Sequence, residues 1–206
     1  MSPRQSTAKD RSQKPEWGTG LAVRHQALSM LSWGTTGRSD DKGLMIIVKL
    51  NMSDGRKGSG HGQEVLTNLQ KDGIAARLAN NPVVKFMSIG LREVTRGRAT
   101  LILQHREELR NSMGLLQGGI FGVLADVAGG VALYSVLPDP LKVVIPTVEF
   151  KLNFLRPAKG EDLIGRGRVV HSGRQIAVCQ VEISSEEGEL LATGIFTYMI
   201  KHLHEA

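Results

Sequence analysis

A lone carboxylate inside an otherwise apolar segment is the first place where this sequence asks for chemistry. Asp126 sits in Gly122-Val123-Leu124-Ala125-Asp126-Val127-Ala128-Gly129 and is the only charged residue between Arg110 and Asp139. A buried carboxylate must find hydrogen-bond donors, take up a proton or face a wet cleft; the plainer alternative is a residue pointing out of its helix at a solvent gap. Nine positions earlier, Gln117-Gly118-Gly119 opens the same segment. A helix start presents unpaired backbone N–H groups and the positive end of the helix dipole, which suit an anion. Glycines there let a ligand approach the backbone, although an ordinary Gly-rich turn would look the same. Together the two features offer an oxyanion site and a carboxylate base on one element, two of the parts that acyl transfer to water requires.

That element reads as a helix over Gln117–Leu137, apolar nearly all round through Ile120, Phe121, Val123, Leu124, Val127, Val131 and Leu133 and stopped by Pro138-Asp139-Pro140. Such a helix must be buried. Before it, Val65, Leu66, Leu69, Ile74, Ala75 and Leu78 mark one face of a short helix ending before Asn80-Asn81-Pro82, and residues 83–95 and 98–107 read as a hairpin about Thr95-Arg96-Gly97-Arg98. After it come strands at Val143–Leu155, Glu161–His171, Gln175–Ser185 and Glu189–Ile200, which their short connections make antiparallel neighbours.

Within the first of these, Val148, Phe150, Leu152 and Phe154 share one face and Thr147, Glu149, Lys151 and Asn153 the other. An apolar sheet face and a central apolar helix combine as an α+β fold in which the antiparallel sheet curls around the helix. Gly122, Gly129 and Gly130 each cost about 1 kcal/mol relative to Ala in a helix interior, which makes sense if sheet backbone passes too close for side chains. The polar face of Val143–Leu155 then needs a cover, and a second copy across a two-fold axis supplies it most simply.

At this point a family resemblance enters. The run Asn111-Ser112-Met113-Gly114-Leu115-Leu116-Gln117-Gly118-Gly119-Ile120-Phe121-Gly122-Val123-Leu124-Ala125-Asp126 resembles the Asn-x-x-Gly-x-x-His-Gly-Gly-x-x-x-x-Leu-x-Asp signature of hotdog-fold acyl-CoA thioesterases of the PaaI-like (phenylacetyl-CoA thioesterase-like) branch. Asn153-Phe154-Leu155-Arg156-Pro157-Ala158-Lys159-Gly160 and His171-Ser172-Gly173-Arg174 extend the resemblance, which covers about residues 80–200. It implies hydrolysis of an acyl-CoA to CoA and a carboxylic acid, with Asp126 as general base or nucleophile and the Gly118 N–H polarising the thioester oxygen. Asn111, Gln117 and Thr147 would orient thioester, carboxylate and water, Thr147 reaching in from a partner subunit. Gly119, Arg156, Gly173 and Arg174 would line the CoA channel, where the arginine fork suits phosphates.

The resemblance further implies a homodimer or homotetramer and no cofactor besides the CoA carried by the substrate. Where the family usually has His, this chain has Gln117, which cannot titrate near neutrality but still donates and accepts hydrogen bonds. A non-catalytic acyl-CoA-binding sensor or scaffold is the alternative that this departure keeps open.

Composition narrows the rest. Of the 206 residues, 26 are Lys or Arg and 20 Asp or Glu, a net charge of +6. Residues 1–52 hold eight of the basic and four of the acidic residues, so the remainder carries only +2, and no nucleic-acid partner is expected. No window approaches the roughly 18 apolar residues of a membrane span. The single cysteine, Cys179, lies in an apolar strand and makes neither an internal disulfide nor a thiolate metal site; no metal is expected, and the location expected is cytoplasmic. Residues 1–62 lack periodicity and read as a disordered extension, with Met52-Ser53-Asp54 as a natural later start; residues 63–202 form the domain and 203–206 a tail.

Overall fold

The computed structural model of the protein describes residues 65–203. The N-terminal extension, the start at Met52 and the last residues of the tail lie outside the described residues.

Helix α1 spans Asn68–Ala79 and starts with a capping box, in which Thr67 accepts the Gln70 N–H while the Gln70 side chain accepts the Thr67 N–H. Residues 83–88 are not strand. Asn81 accepts the N–H groups of Val83 and Val84 (3.0 and 3.2 Å) and Pro82 takes the first helical position, so a short helix α2, Pro82–Phe86, forms instead. Ser88, at φ 55°, then turns the chain into β1, Ile89–Thr95, which pairs antiparallel with β2, Arg98–Leu103, as the expected hairpin.

Helix α3 spans Gly118–Tyr134, one turn shorter than the apolar run suggests. Ser135 ends it, its hydroxyl donating back to the Ala132 carbonyl (2.6 Å). The buried Gln70 side chain donates to the carbonyls of Ser135 and Leu137 (3.1 and 3.0 Å), and Arg77 donates to those of Pro140 and Val143 (3.2 and 2.6 Å). These bonds satisfy carbonyls that the helix end and its proline turn leave unpaired.

The expected strand Val143–Leu155 divides at Ile145-Pro146, because proline has no N–H to continue a ladder. Val143–Val144 forms β3, and Thr147–Phe154 forms β4. Strands β5 (Leu163–Ser172), β6 (Ile176–Ser185) and β7 (Leu190–Met199) follow, and β8, Lys201–His202, pairs with β3 in a separate two-stranded ladder. The main sheet is antiparallel in the order β1-β2-β5-β6-β7-β4. Thus β4 pairs with β7 and not with β5, whose two edges are taken by β2 and β6.

The sheet packs on α3 as expected. Leu124, Ala125, Ala128 and Leu133 of the helix are fully buried against Leu101, Ala177, Cys179, Val181 and Phe196. The closest backbone approach is carried by a strand glycine: a Cβ at Gly167 would overlap the Ala128 carbonyl. Gly129 has no room for a side chain because the Tyr198 hydroxyl occupies it, whereas Gly122 and Gly130 meet only side-chain atoms of Phe150 and Ile145 at ordinary distances.

Candidate active site

Helix α3 and edge strand β4 run past each other in opposite directions, and their contacts form a ladder. Gly118, Gly122, Asp126 and Gly130 follow one another at four-residue intervals, which puts them in one line on the helix. A Cβ at Gly118 would lie 3.5 Å from Phe154, one at Gly122 3.7 Å from Phe150, and one at Gly130 3.5 Å from Ile145. Between the last two rungs, Asp126 is the only member of the line with a side chain, and Thr147 is its rung: the Thr147 hydroxyl donates to Asp126 Oδ1 at 2.7 Å.

Strict alternation along β4 would turn Thr147 away from the helix with Glu149, Lys151 and Asn153. A β-bulge between Thr147 and Glu149 changes that. Thr147 pairs with Tyr198 and Phe150 with Phe196, residues of the buried β7 face, while Glu149 pairs with Thr197 on the outer face. The extra residue resets the pleat, so Thr147 and Phe150 look the same way. The contact is made within one chain, between α3 and its own β4.

The helix start lies elsewhere. Gly118 precedes Asp126 by eight residues, so the two are about 12 Å apart along the axis at 1.5 Å per residue. One chain therefore cannot hold a thioester carbonyl against both. Gln117 is the N-cap; its N–H donates to the Leu109 carbonyl (2.9 Å), but its exposed side chain caps nothing. Gly119 faces open space. Asn111 accepts the N–H groups of Met113 and Leu115 through its side-chain oxygen (2.9 and 3.2 Å), which shapes the loop leading into α3.

The CoA-channel residues are also divided. Arg156 pairs with Glu189 (2.8 Å) and donates to the Leu190 carbonyl at one end of β7, while Gly173 and the exposed Arg174 lie in the β5–β6 turn, whose Gly173 N–H donates to Ile176 O (2.9 Å). Ile176 pairs with Met199 at the other end of β7, and ten residues of strand span about 30 Å.

An aromatic group surrounds the ladder: Phe121 meets Phe154 edge-on with centroids 5.6 Å apart, and Phe150 stacks on Phe196 at 4.9 Å. Phe150 and Phe154 remain 54% and 58% exposed in the single chain. Tyr134 does not join them; Arg77 lies over its ring at the far end of α3. Cys179 is buried beside the Gly129 carbonyl, and burial pushes its thiol up to about 12, away from nucleophilic use. Sequence reasoning missed Tyr198, whose hydroxyl donates to the Asp126 main-chain carbonyl at 2.9 Å. Alternation along β7 places it on the buried face, but nothing in the sequence names its acceptor.

Comparison with known proteins agrees with this architecture. The family profile described as Thioesterase superfamily matches residues 113–192. A Halobacterium salinarum protein provisionally named an esterase is 30% identical over 125 residues, which cover 57% of this chain and 82% of that protein. The medium/long-chain acyl-CoA thioesterase YigI of Escherichia coli is 26% identical over 100 residues, 43% of this chain and 64% of YigI. The crystal structure of a thioesterase family protein from Silicibacter pomeroyi superposes with a TM-score of 0.61 at 29% identity, covering 65% of this chain and 98% of that one. With its antiparallel sheet wrapped on α3, the chain is a hotdog-fold member of the thioesterase superfamily, a family of thioester hydrolases.

Proposed function

We propose that the protein hydrolyses acyl-CoA thioesters to CoA and a free carboxylic acid in a site shared by two copies. The observation that carries this reading is the Asp126–Thr147 pair, a carboxylate oriented by a hydroxyl on an otherwise glycine-lined helix face. The acyl-CoA substrate of YigI supports the class of thioester. Asp126 takes a proton from water, whose oxygen attacks the thioester carbon. The C–S bond breaks as the tetrahedral oxyanion collapses, and the proton passes to the CoA sulfur. Attack by Asp126 itself, with loss of the CoA thiolate to form a mixed anhydride that water then hydrolyses, gives the same products; attack of that water on the aspartyl carbonyl would leave solvent oxygen in the Asp126 carboxylate.

Two copies resolve the geometry that one chain cannot. Pairing β4 antiparallel with the β4 of a second copy brings the Phe154 end of one strand beside the Thr147 end of the other. Because Gly118 accompanies Phe154 and Asp126 accompanies Thr147, each carboxylate then meets the helix start of the other copy, where an N–H can hold the oxyanion. The same operation brings Arg156 of one copy towards the Gly173-Arg174 turn of the other. It also covers the half-exposed Phe150 and Phe154. Whether two such dimers associate does not affect the site. Gln117 keeps a hydrogen-bonding group at the helix start, and no cofactor is invoked. The single buried cysteine suits a cytoplasmic location.

The test is free-thiol release from short, medium, long and aromatic acyl-CoAs, comparing the protein with Asp126→Asn. Loss of turnover by a factor of about 10² to 10⁴, with acyl-CoA binding kept, is the expected result. Tight binding without turnover in either protein would mark a sensor or scaffold.

A further inference from the structure

Tyr198 is a buried titratable residue that the mechanism above does not use, yet both of its functional ends meet the reacting pair. Its backbone is the β7 partner of Thr147, so it sets the position from which that hydroxyl reaches Asp126. Its phenol crosses to the helix and donates to the Asp126 main-chain carbonyl at 2.9 Å. In a regular helix that carbonyl already accepts the Gly130 N–H; its second lone pair takes the phenol.

The ring is fixed on both sides. It continues the stack of Phe150 on Phe196, at 6.4 Å from the Phe196 centroid. The hydroxyl fills the space that a side chain at residue 129 would need, which only Gly129 leaves open. Burial, and then the nearby Asp126 carboxylate, push the phenol well above its ordinary range, so it stays a donor throughout the working range of pH and relays no proton.

We propose that Tyr198 is a positioning residue for thioester hydrolysis, fixing the Asp126 turn of α3 and the Thr147 end of β4 at one separation through its hydroxyl and its backbone. This rests on the assignment of Asp126 as the reacting carboxylate. Without the hydroxyl, the Asp126 turn and β4 are held together by the Thr147–Asp126 bond, one of whose members is the reacting carboxylate itself. The aligned carboxylate is then one of several arrangements, and small misplacements of a reacting group are costly in rate.

Tyr198→Phe removes one oxygen and keeps the ring. The expected result is kcat lowered about 10- to 100-fold, KM within about twofold of the parent and an unchanged circular dichroism spectrum. Since the hydroxyl acts through the Thr147–Asp126 pair, Tyr198→Phe added to Thr147→Ala should lower kcat no further. Full kcat in Tyr198→Phe, a rise in KM alone, or an equal loss in both backgrounds overturns the proposal. Should Tyr198→Phe fail to fold, Gly129→Ala/Tyr198→Phe puts a methyl where the hydroxyl was and serves for the same measurements. If Asp126→Asn keeps full turnover, it is the assignment of Asp126 that fails; if Asp126→Asn is inactive and Tyr198→Phe is fully active, only the role of Tyr198 does.

Discussion

Gly167 on β5 faces the main-chain carbonyl of Ala128 on α3 so closely that a Cβ at this position would overlap the oxygen. Neither partner can yield cheaply, because one is strand backbone and the other is helix backbone in the middle of the core. The contact lies two residues from Asp126, so two backbones set the distance between α3 and β5 there, while Tyr198 acts on the β4 side.

Gly167→Ala should therefore destabilise the fold by about 3 kcal/mol or more, the upper end of what overpacking costs. Gly122→Ala, whose methyl would meet only the Phe150 ring at 3.7 Å, should instead raise the thermal midpoint, because Ala is favoured over Gly in a helix interior by up to about 1 kcal/mol. Thermal denaturation of the two variants side by side checks the contrast.

A shared site predicts complementation between inactive chains. Asp126→Asn and Arg156→Ala fall in the same site when contributed by different copies, so a mixed dimer carries one site with both changes and one with neither. Random mixing should restore about a quarter of the parental sites at low substrate concentration, measured as thiol release after co-expression. Activity no higher than the average of the two pure variants would exclude the shared arrangement. The Arg156 contacts, with Glu189 and the Leu190 carbonyl, lie at the surface with both ion-pair members about half exposed, so its loss should cost the fold no more than about 1 kcal/mol.

Alkaline stability should report the buried thiol. Burial raises Cys179 from its ordinary 9.0 to about 12, so below about pH 9 both folded and unfolded chains keep the proton and the contribution is fully present. Above that the unfolded chain releases it while the native one does not. Stability then falls by up to about 1.4 kcal/mol per pH unit from this group until the native thiol itself ionises. Urea unfolding between about pH 8 and 10.5 should show this decline, less steep in Cys179→Ala, and a thiol reagent should label the native protein only as it unfolds.

Much of this molecule was legible in its sequence. The buried helix, the hairpin and the four later strands follow from periodicity and turn residues, and Asp126 stood out as the one charge in an apolar run. What escaped depends on single-residue events that a period cannot register. The bulge after Thr147 reverses its face. Asn81 and Pro82 start a helix where β-branched Val83 and Val84 suggested a strand. Strand order escaped as well, because short connections say that neighbours are antiparallel but not that β7 will take β4 as its second partner. The roughly 12 Å between Gly118 and Asp126 was implicit in their spacing, whereas the placement of Thr147 beside Asp126 in the same chain appears only in the structure.

The bonds from Gln70 to the Ser135 and Leu137 carbonyls join residues 65 and 67 positions apart, and this bears on the order in which the protein is made. Helix α1, only 12 residues long, leaves the ribosome well before the chain it must hold exists, and an isolated helix of that length is marginal in water. Its capping box preserves a tendency to coil without fixing it. Helix α1 is therefore secured only after the end of α3 has been made, and the Ser135 and Leu137 carbonyls find their donor only when this earlier segment closes over them.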